Sequence, residues 1–180
     1  MDKKELFAKK GFIFDFDGTL VDSMQFWYCD ENLAIRGIEG RFDFMKSKYD
    51  TVISPKPGMK DFLESAFEKG IKMSIASLTP EIYSKGCLDR LGIGNKIDFY
   101  ISTDQVGESK NSPKIYLACA ERFGLTPDEC VVFEDHPHYA GVAREAGFSV
   151  VGIYDEHFGE RFEELKSNSD ITIKSYFELL

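Results

Sequence analysis

The sequence predicts an α/β protein built around a doubly wound parallel sheet, with a small helical cap inserted after the first strand. Short apolar runs alternate along the chain with segments that carry apolar residues at helical spacing, which is typical of this class. The first run, residues 11–14, is almost continuously apolar, as expected of a strand that is buried on both faces. Polar residues capable of chemistry follow the ends of several runs. Together these observations favour parallel strands over an antiparallel meander.

Composition limits the size of the fold and the classes of partner. A chain of 180 residues can bury one good core and has room for a small appendage. With 43% hydrophobic and 29% charged residues, it has the composition of an ordinary globular protein. The 22 basic and 31 acidic residues give a net charge of −9, which argues against nucleic acid or an anionic membrane as a partner.

The location is expected to be cytoplasmic. No uninterrupted apolar span approaches the length of about 20 residues that a membrane helix needs, and the first residues lack the apolar stretch of a signal peptide. The four cysteines, Cys29, Cys87, Cys119 and Cys130, are scattered without a Cys-x-x-Cys spacing. Such spacing favours reduced thiols, most of them packed as small hydrophobic side chains.

The elements follow in order from the N-terminus. Residues 1–10 contain four lysines and are expected to form a solvated lead-in to the first strand. Large apolar residues predict a helix over residues 23–35 and a second over 38–49, punctuated by glycines. We interpret residues 23–53, the cap segment, as a small helical cap. Residues 1–22 and 54–180 then form the α/β core. The remaining predicted strands are 71–76, 99–102, 130–133, 149–153 and an edge strand 171–173; the remaining helices are 59–69, 80–91, 113–123, one ending at 146, a short one around Phe162 and Leu165, and a terminal turn at 175–180.

Two aspartates end the first strand. Asp15 and Asp17 are separated by one residue, so their side chains point the same way if the strand continues that far, and Gly18 then breaks it. Two carboxylates at the end of a buried strand repel each other and are costly to desolvate unless a positive group lies between them. Mg²⁺ is the expected compensation because it prefers carboxylate oxygens. A helix N-cap or turn is the simpler alternative for this Asp-Gly sequence.

Further polar side chains lie at or just after other strand ends. Ser77 follows the second core strand, Lys110 follows the third, and Glu134 and Asp135 follow the fourth. In doubly wound sheets, ligands bind at the carboxyl ends of the strands, where the strand order reverses. The sequence therefore predicts one site that gathers groups from several separate segments. Taken singly, each of these residues could also be a capping or solvated side chain.

At this point the chain resembles the haloacid dehalogenase superfamily. The string Asp15-Phe16-Asp17-Gly18-Thr19-Leu20-Val21-Asp22-Ser23 is similar to its first motif, and the resemblance, closest to the subfamily of β-phosphoglucomutase and phosphoglycolate phosphatase, covers nearly the whole chain. It implies a Rossmann-like core and Mg²⁺ as cofactor. The site residues that it implies are Asp15 as nucleophile, Asp17 as general acid and base, Gly18, Ser77 and Lys110 for the substrate phosphate, and Asp15, Asp17 (through its backbone carbonyl), Glu134 and Asp135 for the metal.

Two segments depart from the family pattern. Lys110 matches the lysine of the family's third motif, but Asn111 stands where that motif usually has proline and Lys114 where it usually has an acid, so Lys114 is a rival to Lys110. The acidic pair Glu134 and Asp135 is similar to the family's fourth motif. Directly after it, His136 and His138 flank a proline, and Tyr139 stands where the family commonly has a small residue. Two histidines beside acids suggest zinc, but no cysteine is near in sequence, and a histidine that contacts substrate or Asp135 is preferred.

The expected activity is that of a Mg²⁺-dependent phosphatase that hydrolyses a small phosphate monoester through an aspartyl-phosphate on Asp15. A sugar-phosphate mutase is the alternative, but such mutases have a larger cap and a histidine at the position of Trp27. A catalytically inactive, phosphate-binding family member is a second alternative. A receiver-type signalling domain fits poorly, because its phosphorylated aspartate comes later in the chain. The substrate and the oligomeric state are not readable from the sequence.

Overall fold

The computed structural model describes all residues from Met1 to Leu180. The strands are β1 (Gly11–Phe14), β2 (Val21–Asp22), β3 (Ser54–Pro55), β4 (Lys72–Ser77), β5 (Phe99–Ser102), β6 (Cys130–Glu134), β7 (Ser149–Ile153) and β8 (Ile171–Ile173). The α-helices are α1 (Lys3–Leu6), α2 (Met24–Trp27), α3 (Asp30–Leu33), α4 (Ile38–Tyr49), α5 (Met59–Glu68), α6 (Glu81–Leu91), α7 (Thr103–Val106), α8 (Lys114–Phe123), α9 (Pro137–Glu145) and α10 (Phe162–Ser167). Four 3₁₀ helices connect them, at Gly94–Lys96, Pro127–Glu129, Glu156–Arg161 and Tyr176–Leu179.

Six strands form one parallel sheet in the order β5-β4-β1-β6-β7-β8. The chain builds outward from β1 through β4 to β5, then crosses back to β6 and builds outward on the other side. The strand order therefore reverses beside β1, and a crevice forms there at the carboxyl ends of β1, β4 and β6. The predicted doubly wound fold is confirmed, and the predicted core strands match the observed ones within one residue at each end.

Helices cover both faces of the sheet because the residues of each strand alternate between two apolar clusters. In β1, Phe12 and Phe14 belong to one cluster, and Ile13 belongs to the other. On the first face, Phe62 of α5 stacks on Phe12 with the ring centres 5.7 Å apart, and Phe133 stacks on Phe14 at 4.5 Å. A strand that is apolar on both faces is stable only inside such a sandwich.

Residues 23–53 leave the sheet and return through the antiparallel pair β2 and β3. Helix α4 of this segment packs closely against α6 of the core. A Cβ added to Gly86 of α6 would lie 2.0 Å from Oδ1 of Asp50, the residue that follows α4. The Arg90 guanidinium of α6 donates to the backbone carbonyl of Tyr49 at 2.9 Å, and Phe42 stacks on Tyr83 at 5.0 Å. The segment is thus tied to the core, and its status as a separate cap stays a prediction.

The single helix predicted over residues 23–35 is wrong: the structure has two one-turn helices, α2 and α3, joined at an extended Cys29. Asn32 is fully buried, and its side-chain amide donates to the carbonyls of Phe26 and Trp27 at 3.2 and 3.1 Å. Arg41 adds a third donor, 2.9 Å from the Trp27 carbonyl. Side chains therefore satisfy the carbonyls at the end of α2, which lets the chain turn there.

The lead-in predicted for residues 1–10 is largely exposed, as expected, but it contains a short helix and one fully buried residue. Asp2 and Glu5 form a capping box at the start of α1, and Leu6 is fully buried in the apolar cluster around Phe12 and Phe62. The four lysines around Leu6 gave no indication in the sequence that this side chain is buried. Elsewhere in the fold, none of the helices is long and apolar enough to cross a membrane.

Replacing Leu6 by alanine tests whether α1 is part of the cooperative fold. Because the side chain is fully buried, we expect the free energy of unfolding to fall by about 2–5 kcal/mol, the range for buried Leu→Ala changes. The exposed neighbour Lys4→Ala is the matched control and should stay within about 0.5 kcal/mol of wild type. Urea unfolding followed by circular dichroism measures both. Equal, small effects would mean that α1 lies outside the cooperative unit.

Candidate active site

The first side of the site is the turn after β1. The backbone N–H of Asp15 donates to the Phe133 carbonyl at 2.9 Å, so Asp15 still follows the line of the sheet. Gly18 then takes a φ of +79°, and a Cβ there would lie 2.2 Å from Asp135 Oδ2. Only glycine fits this turn without strain. Its N–H donates to the Val21 carbonyl at 2.9 Å, so the role of Gly18 in the structure is to shape the turn.

Three buried carboxylates converge at the crevice. Asp15, Glu134 and Asp135 each offer one oxygen, and these oxygens lie within 4.8 Å of one another. Lys110 is 1% exposed and joins two of them: its Nζ donates to Asp15 Oδ1 and, at 2.7 Å, to Glu134 Oε1. The hydroxyl of Tyr116 also donates to Glu134 Oε1, at 2.9 Å. The cluster therefore holds three acids and one buried cation.

The two candidate lysines lie in different environments. Lys110 contacts Asp15 and Glu134, and it also lies over the rings of Tyr116 and Tyr139, at 5.6 and 5.9 Å from their centres. The side chain of Lys114, in contrast, is 52% exposed and pairs with the equally exposed Glu108 at 3.1 Å. Only Lys110 is therefore in reach of a group bound at the carboxylates.

The three acids outnumber the one buried cation, and burial penalises their negative charge. The pKa of Asp15 is raised to about 7, first by burial and then by Glu134 and Asp17, against the opposing effect of Lys110. Burial, followed by Glu134 and Asp15, raises the pKa of Asp135 well above its usual value. Asp135 Oδ1 accepts from the Thr19 hydroxyl at 3.1 Å, whereas the buried Oδ2 has no hydrogen-bond partner. An unpartnered buried carboxylate oxygen beside two other acids fits a hard divalent cation such as Mg²⁺.

Asp17 lies in the same cavity but faces a different set of partners. Its Oδ1 accepts hydrogen bonds from Ser23 Oγ, at 2.6 Å, and from the hydroxyl of Tyr49. Its Oδ2 accepts from Thr79 Oγ1 at 2.7 Å. The carboxylate is thus held by hydroxyl groups and does not join the three clustered acids, so only the backbone of Asp17 remains as a candidate metal ligand.

Ser77 lies at the end of β4, on the opposite side of the crevice from Asp135. It is 1% exposed, and its Oγ accepts from the backbone N–H of Thr79 at 3.0 Å. The backbone N–H groups of Asp17 and Leu78, two residues that line the cavity, have no acceptor within the protein. A hydroxyl and free amide groups beside a buried lysine can receive the oxygens of an anion.

A cavity of about 280 Å³ lies above these groups. Beyond the acidic cluster its walls are largely aromatic and aliphatic. The cap segment contributes Met24, Trp27, Tyr28, Ile38, Arg41 and Phe42, and the core contributes Leu78, Thr79, His136, Tyr139 and Phe158. Of these, the comparison with the family pattern had singled out only Trp27, His136 and Tyr139. Thr79, Arg41 and Phe158 carried no signal, because their place depends on how the segments pack.

The two histidines are not part of the acidic cluster. The ring of His136 stacks on Tyr139 with the centres 4.3 Å apart, and burial lowers its pKa. Its backbone N–H donates to Glu134 Oε2 at 3.0 Å. His138 Nε2 is 3.1 Å from Asn111 Oδ1. His136 therefore lies at the rim of the cavity, whose floor the carboxylates form, whereas the exposed His138 does not line it.

The fold and the site define a doubly wound α/β protein with an acidic site at the point where the strand order reverses. A sequence model described as haloacid dehalogenase-like hydrolase matches residues 30–147, more than half of the chain. The protein belongs to the haloacid dehalogenase-like hydrolase family. The matched residues include Ser77, Lys110 and the pair Glu134 and Asp135, whereas the first aspartates lie before them.

Relatives with similar sequences are named as phosphatases. The chain is 33% identical over 102 residues to a phosphorylated carbohydrates phosphatase of Thermotoga maritima, covering 57% of this chain and 47% of that protein. It is 28% identical over 178 residues to hexitol phosphatase A of Escherichia coli, covering 80% and 82%. It is 32% identical over 81 residues to the fructose-1-phosphate phosphatase YqaB of E. coli, covering 45% and 43%. The chain therefore spans about half the length of the first and last of these relatives.

Solved structures share the fold at low sequence identity. CbbY of Rhodobacter sphaeroides, in complex with phosphate, superposes with a TM-score of 0.80 at 20% identity, covering 95% of this chain and 96% of that one. A β-phosphoglucomutase of Clostridium difficile gives a TM-score of 0.78 at 20% identity, covering 96% and 93%. At this identity the likeness concerns the fold, and it agrees with the sheet described above.

Lys110→Met tests whether the lysine neutralises the cluster. In metal-free protein at pH 8, we expect the free energy of unfolding to fall by about 3–5 kcal/mol, because breaking a buried ion pair leaves its carboxylates uncompensated. Lys114→Met is the matched control, and loss of its exposed pair should cost at most about 1 kcal/mol. Guanidinium chloride unfolding gives both values. If the two variants lost equal stability, the buried cluster would not depend on Lys110.

Proposed function

We propose that the protein is a Mg²⁺-dependent phosphatase that hydrolyses a small phosphate monoester through an aspartyl-phosphate on Asp15. The observation that carries this proposal is the bridge made by Lys110, which donates to both Asp15 and Glu134 beside an unpartnered oxygen of Asp135. A phosphate dianion repels carboxylate nucleophiles, so a carboxylate that attacks it needs positive charge within contact distance.

The choice of Asp15 as nucleophile rests on the partners of each carboxylate. Both oxygens of Glu134 are occupied: Oε1 accepts hydrogen bonds from Lys110 and Tyr116, and Oε2 accepts one from the His136 backbone N–H. Both oxygens of Asp17 accept from hydroxyl groups. Asp15 Oδ1 accepts from Lys110, and Oδ2 accepts no hydrogen bond from the protein. Asp135 also has one free oxygen, but that oxygen is buried, whereas the free oxygen of Asp15 is not among the buried ones. A carboxylate with one anchored and one accessible oxygen suits in-line attack on phosphorus.

The residues that would hold the phosphoryl group surround Asp15. Lys110, the Ser77 hydroxyl and the free N–H groups of Asp17 and Leu78 lie around the cavity floor. In the proposed reaction Asp15 attacks phosphorus, the ester P–O bond breaks, and Asp17 gives its proton to the leaving oxygen. Water then attacks phosphorus, Asp17 takes a proton from that water, and the bond to Asp15 breaks to release inorganic phosphate.

Asp15, the Asp17 backbone carbonyl, Glu134 and Asp135 are the proposed ligands of Mg²⁺. When bound, the ion supplies positive charge that offsets the charge of the phosphoryl oxygens. The raised pKa values of Asp15 and Asp135 support a site that takes up a divalent cation, because burial penalises the negative charge that Lys110 alone does not offset.

The substrate is proposed to be a small phosphorylated carbohydrate, in line with the names of the relatives. Hydrolysis is preferred over a mutase reaction because Trp27 lies where the mutases carry a histidine, and its indole N–H is taken up by Tyr49 at 3.1 Å. All four cysteines are free of disulfides, which supports the proposed cytoplasmic location.

Asp15→Asn is expected to abolish turnover. We predict Mg²⁺-dependent hydrolysis of p-nitrophenyl phosphate by wild type and a loss of at least about 10³-fold in the variant, because an amide oxygen is a poor nucleophile for this step. The exposed cap-segment residue Asp43 supplies the control Asp43→Asn, which should retain wild-type rates. Release of p-nitrophenolate with and without EDTA measures the outcome. Turnover that survives in Asp15→Asn would contradict the proposed nucleophile.

Asp135→Asn tests the metal site without relying on activity. Mg²⁺ should raise the midpoint of thermal unfolding of wild type, since a ligand that binds only the folded state stabilises it by about 2.7 kcal/mol at 100 times its Kd. The variant should lose most of this shift, and Asp43→Asn should keep it. Equal shifts in all three proteins would place Mg²⁺ elsewhere. A shift in wild type without turnover of any phosphorylated metabolite would instead favour the inactive, phosphate-binding alternative.

A further inference from the structure

The surroundings of Asp17 contain a tyrosine that no motif identifies. The Asp17 carboxylate accepts hydrogen bonds from Ser23, Thr79 and Tyr49, and it forms no ion pair. Ser23 is close to Asp17 in sequence, and Thr79 follows β4 at the edge of the crevice. Tyr49, however, is the last residue of α4, in the cap segment, and it is fully buried.

The hydroxyl of Tyr49 has a defined orientation. Trp27 Nε1 lies 3.1 Å from the Tyr49 oxygen, and an indole N–H can only donate. The tyrosine oxygen therefore accepts from Trp27, and its single proton is directed to Asp17 Oδ1. Burial, followed by the charge of Asp17, raises the pKa of Tyr49 well above its usual value, so the phenol keeps this proton at neutral pH.

The position of Tyr49 is also fixed. Its backbone carbonyl accepts from Arg90 Nε and Nη2, at 3.1 and 2.9 Å, and its ring packs on Phe16 with the centres 5.5 Å apart. Tyr49 does not line the cavity, although Trp27 and Asp17 do. It can therefore act on a reaction only through Asp17, whereas a residue on the cavity wall would contact the substrate directly.

We propose that Tyr49 is the positioning residue of the acid–base carboxylate, and that the chain Trp27–Tyr49–Asp17 sets the direction in which Asp17 delivers its proton. The proposal rests on the function proposed above. It assigns to the cap segment a part in proton transfer as well as in enclosing the cavity. Without the phenol, Asp17 loses one of two donors at Oδ1 and can rotate about its side-chain bonds.

The test compares two substrates of similar shape that differ in their need for a proton. Phenolate is a poor leaving group and p-nitrophenolate a good one, so only phenyl phosphate depends strongly on Asp17 as an acid. We expect Tyr49→Phe to lower kcat/KM about 10- to 100-fold for phenyl phosphate and less than about threefold for p-nitrophenyl phosphate, part of the 10²- to 10⁴-fold that acid–base assistance contributes. The parameter kcat/KM isolates transfer to Asp15 from the later hydrolysis.

Two further variants make the result specific. Tyr176→Phe removes the hydroxyl of an equally buried tyrosine that donates to the Thr19 carbonyl at 3.2 Å, and it should leave the ratio of the two substrates unchanged. Trp27→Phe removes the donor that orients Tyr49, and should change the ratio in the same direction by a smaller factor. Both substrates place a phenyl ring beside the phosphate, so the part of a binding change at Trp27 that they share cancels in the ratio. Trp27→Phe also keeps the proposal testable if Tyr49→Phe fails to fold.

The outcomes separate this proposal from the one on which it rests. A selective loss on phenyl phosphate in Tyr49→Phe or Trp27→Phe supports positioning of Asp17. If the variants lose equal activity on both substrates, or lose none, while turnover still depends on Asp15, the role of Tyr49 is overturned and the proposed function stands. If the Asp15→Asn variant keeps the turnover of wild type, the proposed mechanism is overturned, and the role of Tyr49 is overturned with it.

Discussion

The structure of the site depends on one constraint: three carboxylates have been removed from water, and one lysine offsets only part of their charge. Asp15, Glu134 and Asp135 come from the ends of β1 and β6, and Lys110 reaches them from the segment after α7. Like charges at such separations are tolerated only with a cation between them. The close approach of the Asp135 carboxylate to the turn accounts for the glycine at position 18, because a Cβ there would lie 2.2 Å from Asp135 Oδ2.

Much of the fold could be predicted because a parallel sheet leaves strong local signals. Each core strand is a short apolar run bounded by glycine, proline or polar residues, and such a run has few alternatives. The cap segment was harder. Its break at Cys29 follows from Asn32 and Arg41 donating to carbonyls at the end of α2, and this contact depends on how α4 packs back onto α2. The helix α1 was missed because a single buried leucine decides its place.

The site divides in the same way. Asp15, Ser77 and the pair Glu134 and Asp135 could be identified because each lies at or directly after a strand end, and the parallel sheet brings strand ends together. Lys110 comes after α7, and the family motif identified it. The partners of Asp17 could not all be found by this reasoning. Tyr49 looks like any other aromatic residue on an apolar helix face in the sequence, and its contact with Asp17 appears only when α4 has docked on α6 through Arg90.

The two halves of the site therefore have different physical origins. The acidic floor is built by the sheet, and its geometry follows from strand register, which a buried sheet holds rigidly. The surroundings of Asp17 are built jointly by the core and the cap segment: Thr79 belongs to the core, Ser23 and Tyr49 to the segment between β2 and β3. A cap that only covered the cavity could vary freely in packing. The acid–base role proposed for Asp17 requires this segment to dock with α4 in a single position. The contacts of Arg90 with Tyr49 at the end of α4 and of Asp50 with Gly86 supply that position.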